Sequence, residues 1–350
     1  MTERTTLPTE TVTAATRRSI FLTLFGTIAL VGLFNLAAKF YLIRHTPNRS
    51  DWLIREKWEL LLRLEKPVDW LILGDSSCNQ GIDPSLFDSD LKTTSINLCT
   101  VGNMTNVNNA WMLEAYIQRF GPPRHILIVH VYDVWGRDID PMMMARVPLQ
   151  LQRLSQFEPR INQRRVTNFQ VLLERYLPLY SKNQSLQEVM MFPLDSYETN
   201  RSFSLKEDGL MVWHQPNPEN VEGQKTMHLS NIQQKPTFQL SNTNRQALEH
   251  IISLAEKHQF DVYLANSPIY NELYQQKEFQ GYYNQVRDML RHYANSSSRV
   301  HYVLQEPVTF PKEEMENADH VIYPAAKQYT QQLVQAISAE KKQKDIQAKR

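Results

Sequence analysis

Gly74-Asp75-Ser76-Ser77 directly follows the apolar run Trp70-Leu71-Ile72-Leu73. That order puts a serine on a tight turn at the end of a buried strand, where its hydroxyl can act as a nucleophile once a histidine takes its proton. Far downstream, Asp319-His320 precedes the last helical segment. The chemistry this pair suggests is attack of Ser76 on an ester carbonyl with His320 as general base. The oxyanion that forms needs donors. The backbone N–H groups of Ser76 and Gly102 are candidates, since a glycine lets backbone approach closely, and the Asn103 side chain is another. A serine after a strand also serves to cap a turn, and a loop histidine is often just satisfied by its neighbours. The two residues together favour catalysis.

Other motifs are weak. Gly-x-Ser-x-Gly is absent, which disfavours a conventional α/β-hydrolase. His130, His214 and His228 lack metal-ligand spacing, so no metal or other cofactor is expected. The net charge is +1 with scattered basic residues, and no basic face suggests a nucleic-acid partner. Asn-x-Ser/Thr sites at Asn48, Asn103, Asn183, Asn200 and Asn295 matter only in a glycosylating secretory pathway.

The elements that would position these residues follow from hydrophobic pattern. Residues 69–73, 94–98, 125–131, 261–266 and 300–304 are short and mostly apolar without strict alternation, as strands buried on both faces are. Helical spacing marks residues 52–65, 106–120, 243–258, 280–293 and 325–341. Gly121-Pro122-Pro123 stops the second of these. Strands alternating with helices predict a parallel sheet in a doubly wound α/β sandwich, with its site at the carboxyl ends of the strands. Ser76, Thr100-Val101-Gly102-Asn103 and Tyr132-Asp133 all fall at such ends. The interval of about 140–239 is too long for one crossover. It reads as a mainly helical insertion, with helix-like stretches at 149–163 and 166–186 and polar loops around residues 208–213, walling the site. Met142-Met143-Met144 within it is either ordinary packing or a soft contact surface.

Residues 19–38 carry no charge and would span roughly 30 Å as a helix, the thickness of a bilayer core. Arg17 and Arg18 precede this run, which favours a cytoplasmic tail at 1–18, an anchor at 19–41 and a large domain outside. The alternative is a signal peptide cleaved near Leu36-Ala37-Ala38; either way the domain is exported. In an exported domain Cys78 and Cys99 can pair, the alternative being two buried thiols.

The combination of Gly74-Asp75-Ser76, Gly81-Ile82-Asp83-Pro84, the strand leading to Gly102-Asn103, and Asp319-His320-Val321 with Ala325-Ala326 and Tyr329-Thr330 resembles the SGNH, or GDSL-like, hydrolase and acyltransferase superfamily. The resemblance covers residues 69–337 without the insertion. It implies a flavodoxin-like doubly wound sheet and a serine esterase or O-acyltransferase. Within the superfamily the chain is similar to anchored proteins that assist alginate O-acetylation or teichoic acid D-alanylation. That similarity implies a glycan substrate and a multi-span membrane acyltransferase as partner. Two positions depart from the pattern. Asn317 stands where an Asp often lies three residues before the catalytic histidine. Asp319, Glu316 or a backbone carbonyl would then orient His320, although in extended chain Asp319 points the other way. Val131-Tyr132-Asp133-Val134-Trp135 replaces the usual Gly-x-Asn-Asp and removes an asparagine donor, so Asp133 reads as structural. The expected layout is a single α/β domain over 50–341 and a polar tail at 342–350. A non-catalytic envelope protein that binds a partner through its insertion is the alternative function, and a secreted lipase a third.

Overall fold

The computed structural model describes residues 14–44, 49–148, 156–157, 160–161, 164–165, 168–177, 179 and 203–348. Five strands form its central sheet: β1 (Trp70–Gly74), β2 (Ser95–Asn97), β3 (His125–His130), β4 (Asp261–Asn266) and β5 (Val300–Tyr302). All pair in parallel, in the order β2-β1-β3-β4-β5. β1 is buried along its whole length, and β3 and β4 are buried beyond their first residues, which is why these segments are apolar runs and not alternating ones. The register pairs Gly74 with Val129 and His130 with Asn266, so the carboxyl ends of β1, β3 and β4 lie together.

Nine helices are used below: α1 (Ala14–Arg44), α2 (Arg49–Arg63), α3 (Ser76–Gly81), α4 (Pro84–Leu91), α5 (Thr105–Phe120), α6 (Pro218–Gln234), α7 (Asn242–His258), α8 (Lys277–Ser296) and α9 (Tyr323–Ala348). Three sets of contacts organise those of the α/β domain, one of them α6 with α8. α5 lies between α2 and α7, while α9 packs on α3 and α4. Local chemistry starts them where the sequence allows. Asp83 caps α4 by accepting from Ser85 N at 3.0 Å, with Pro84 at the first helical position, and Ser241 caps α7. α9 continues to Ala348, although a polar tail was expected from residue 342. Lys, Gln and Ala after Ile337 are good helix formers and carry the helix on.

α1 stands apart. Ile20, Phe21, Leu24, Phe25 and Ile28 are exposed, and Thr16–Tyr41 has a mean hydropathy of 2.1. Length and composition fit a single-pass membrane anchor or a signal sequence.

The inserted region differs in part from expectation. Where a helix was expected over 149–163, Arg160–Ile161 pairs antiparallel with Arg164–Arg165, and the neighbouring positions lie outside the described residues. Helix Asn168–Tyr176 falls inside the predicted 166–186 stretch, most of whose remainder also lies outside them. The supposed polar loop is a hairpin, Phe203–Leu205 against Met211–Trp213. It docks on the edge of β2, where Asn97 N–H donates to the Asp208 carbonyl at 2.9 Å. A Cβ at Gly209, whose φ is +91°, would lie 2.0 Å from the Asn97 carbonyl oxygen, so only glycine permits the approach. The hairpin thus covers an open sheet edge. Buried Lys57 ties it to α2, donating to the Asn97 carbonyl at 2.8 Å and to the Gly209 carbonyl. Burial holds this amine well below its usual range, against the pull of Asp208. Met143 and Met144 are core residues. Asn48, Asn183 and Asn200 lie outside the described residues.

Candidate active site

β1 delivers the serine. At Gly74 φ is +153°, and a Cβ there would lie 2.0 Å from the Val129 carbonyl oxygen, so the chain passes against β3 only because residue 74 has no side chain. Asp75 then caps α3, accepting from Ser77 N–H at 2.9 Å and from the Ser77 hydroxyl at 2.6 Å. The buried Ser77 is thereby committed to Asp75, whereas Ser76, the first residue of α3, is half-buried.

Asp75 also accepts from Val131 N–H at 2.7 Å and lies 3.3 Å from His130 Nδ1. Burial by itself pushes this carboxyl up. The hydrogen bond and charge of His130, helped by Ser77 and Val131, outweigh burial and bring it down to about 2. Behind it, His130 Nε2 meets Asn106 Oδ1 at 3.1 Å and Asn109 Nδ2 at 3.0 Å. Asn106 N–H donates to Asn244 Oδ1 at 2.9 Å, and the Asn244 amide donates to the carbonyls of Val134, Trp135 and Arg137 at 2.8, 3.0 and 2.9 Å. One buried polar layer therefore fastens the ends of β1 and β3, the start of α5 and the 134–137 turn. Of its members after Asp75, only His130 was named from sequence, and only as a poor metal ligand. The available signal was the density of asparagines at positions 103, 106, 108 and 109, unusual in a helix start that is otherwise core.

Gly102 and Asn103 lie on one 3₁₀ turn, Gly102–Met104, on the loop between β2 and α5. Gly102 is half-buried. Asn103 is exposed, and its carbonyl accepts from Asp140 N–H at 3.0 Å. Thr105, which joins the turn to α5, has φ +52°, an uncommon and strained conformation for a β-branched residue. Cys78 and Cys99 are joined in a disulfide with Cα atoms 5.8 Å apart. It links the helix that begins with Ser76 to the loop that carries Gly102.

His320 arrives on a hairpin. Strand Met315–Asn317 pairs with His320–Val321 across a turn at Ala318-Asp319, and the second strand packs on α3. The turn overturns the expectation that Asp319 points away. The chain is not extended there, and Asp319 Oδ1 bonds His320 Nδ1. Asn317 Oδ1 lies 2.8 Å from the same nitrogen and accepts from Asp319 N–H at 2.9 Å. Asn317 therefore shapes the turn, and Asp319 supplies the carboxylate.

The other Asp319 oxygen, Oδ2, lies 3.6 Å from His228 Nε2, and His228 Nδ1 is 2.7 Å from the Tyr132 hydroxyl. Burial favours the neutral form of Asp319. The charge and hydrogen bond of His320, then His228, overcome it and hold the carboxyl below its usual range, while Asp75 opposes them weakly. The Tyr132 hydroxyl is pushed well up, by burial first and by Asp133 and Asp319 after it. His228 belongs to α6, inside the insertion, and is held over the hairpin by Asn217 N–H to the Met315 carbonyl and Asn220 Nδ2 to the Glu316 carbonyl, each at 3.0 Å. Metal spacing was the wrong test for it. Its role is visible only once α6 lies over residues 315–321.

The remaining sequence signals are structural supports. Thr330 on α9 accepts from Asp83 N–H at 3.0 Å and donates to the Gly81 carbonyl at 3.2 Å; Tyr323 OH donates to Asp83 Oδ2 at 2.8 Å. These bonds clamp the helix after His320 onto the chain after Ser76. Asp133 pairs with Arg137, with Nη2 at 2.5 Å from Oδ2. Among the described residues no group of three or more His, Cys, Asp or Glu side chains forms a metal site.

No protein-family model matches this chain, and no curated protein matches it. Among solved structures, it is similar to a Streptococcus pneumonia protein provisionally described as a platelet activating factor, with a TM-score of 0.39 and 13% identity over 85% of this chain and 95% of that one. That likeness is too distant to inform the site.

Proposed function

We propose that this chain is a membrane-anchored serine esterase or O-acyltransferase of SGNH-like, doubly wound architecture, acting outside the cytoplasm. The observation that carries the proposal is the Asp319–His320 pair, held on a strand that packs against the helix beginning with Ser76. The strand order is that of flavodoxin-like sheets, and Ser76 stands at the carboxyl end of β1, where open α/β sheets place their sites.

In this mechanism Ser76 Oγ attacks the acyl carbonyl as its proton passes to His320 Nε2, since Nδ1 is turned to Asp319. The tetrahedral intermediate collapses, the alkoxide leaving group takes the proton from His320, and the acyl group stays on Ser76. Water or a sugar hydroxyl then attacks the acyl-enzyme with His320 again as base. The acyl group is proposed to be acetyl and the acceptor a cell-envelope polysaccharide, beside a multi-span membrane O-acyltransferase. Both follow from the sequence resemblance.

A fluorophosphonate probe should label the full-length protein in detergent, and Ser76→Ala and His320→Ala should each abolish labelling. Undiminished labelling of Ser76→Ala would sink the assignment. A wild type that resists the probe and hydrolyses no aryl acetate would favour a non-catalytic, partner-binding role for the insertion.

A further inference from the structure

We propose that Arg137 is a catalytic residue whose guanidinium donates to the oxyanion formed on attack by Ser76; this rests on the esterase reading above. The asparagine donor expected after the third strand is missing from Val131-Tyr132-Asp133-Val134-Trp135. Arg137 follows that block, and the structure brings it to Gly102. A Cβ at residue 102 would lie 3.0 Å from Arg137 Nη1 and 3.0 Å from Val134 Cγ2, so the bare glycine is what admits the guanidinium.

Arg137 is held at both ends. Its carbonyl accepts from Asn244 Nδ2 at 2.9 Å and Ser241 Oγ at 2.7 Å, and its N–H donates to the Val134 carbonyl at 3.0 Å. At the tip, Asp133 takes Nη2. Nη1 is left against the glycine turn, on a side chain that is 40% exposed and so within reach of an acyl substrate. The planar fork matters here: one edge can bind Asp133 while the other meets a second anion, which an ammonium cannot do with the same geometry. The pairing also resolves Asp133. A carboxylate beside an oxyanion would repel it, but here it is neutralised and serves to aim the arginine. Burial opposes the charge of Arg137, while Asp133 first, and Asp319 and Asp75 after it, favour it.

In the step itself the Ser76 Oγ–carbon bond forms, the carbonyl π pair moves onto oxygen, and the serine proton goes to His320. Arg137 remains protonated, its N–H shortening onto the developing charge. On collapse the pair returns and the leaving group departs with the His320 proton. Such a donor affects kcat far more than KM, because the ground-state carbonyl carries little charge.

The test is steady-state hydrolysis of an aryl acetate by the full-length protein in detergent, with fluorophosphonate labelling of Ser76 in parallel. Arg137→Ala should lower kcat by about 10²–10³-fold with KM within about threefold, and should slow labelling. Arg137→Lys should recover part of the rate. Gly102→Ala, which pushes the guanidinium away, should lower kcat in the same sense, and the double variant should be no slower than Arg137→Ala alone, since both changes remove one interaction. Arg137→Ala with kcat within about threefold of wild type, while Ser76→Ala is inactive, would overturn the arginine's role and leave the esterase standing. Absence of labelling at Ser76 would remove both.

Discussion

Asp319 bonds His320 through Oδ1 and faces His228 at 3.6 Å through Oδ2, and that arrangement decides what the neighbouring asparagine can do. Asp319→Asn should lower kcat by on the order of 10⁴-fold, because an amide can stabilise the wrong His320 tautomer, and should leave KM nearly unchanged. Asn317→Asp should not raise activity at neutral pH. A carboxylate there would sit beside Asp319 against the same imidazole nitrogen, and like charges at that distance raise each other's pKa. A several-fold gain in kcat for Asn317→Asp would show instead that position 317 is the natural orienter. Asp75 sets a different pH dependence. Its carboxyl lies at about 2 in the fold against 3.8 in the free chain. A carboxyl depressed by folding contributes stability above the unfolded value and loses it as pH falls through the folded one. The contribution, about 2 kcal/mol, should therefore disappear between about pH 4 and pH 2. Denaturant melts across that window should show the loss in wild type and a flatter profile in Asp75→Asn.

At the scale of elements, α6 is what turns an insertion into part of the site. His228 faces Asp319 at 3.6 Å, so in the proposed mechanism it is a positioning residue. His228→Ala should lower kcat by about tenfold and shift the acid limb of the kcat profile, because Asp319 loses one of the two partners that keep it ionised. His228→Gln, which keeps an N–H facing Asp319, should recover part of that loss. Identical pH profiles for wild type and His228→Ala would reduce α6 to a lid without electrostatic effect. The turn from β1 into α3 has its own sensitivity. Gly74→Ala drives a methyl into the Val129 carbonyl and should destabilise the fold by several kcal/mol, read as a fall in Tm with loss of soluble expression.

At the scale of the whole molecule, two links define what the sheet is attached to. The Cys78–Cys99 bridge closes a loop with a sequence separation of 21, and its loss should cost about 3 kcal/mol on chain-entropy grounds. Since it also joins the serine helix to the Gly102 turn, Cys78→Ala/Cys99→Ala should lose esterase activity at temperatures below its own unfolding transition. The other link is α1. If it is an anchor, the full chain should stay in the membrane pellet through an alkaline carbonate wash. Recovery of a soluble mature form beginning near residue 39 would identify a cleaved signal instead.

Much of this was legible in the chain. Ser76, His320 and Asp319 are visible as residue types at strand-end and turn positions, and the five sheet strands are visible because strands buried on both faces must be apolar throughout. The apolar helix is equally plain, since residues 19–38 are uncharged and apolar at nearly every position. Residue types and periodicity report local backbone and burial, and these features are local. Tertiary structure alone decided the rest. That Asp319 reaches His320 depends on a turn at residues 318–319 where an extended strand looked just as reasonable. That His228 completes the carboxylate's surroundings, and that Arg137 lies over Gly102, depend on contacts between residues 91 and 35 positions apart in the chain. Such contacts leave no periodic trace. They exist because α6, the 134–137 turn and the 315–321 hairpin are packed against the carboxyl ends of one parallel sheet, where groups from distant elements are forced within hydrogen-bonding range.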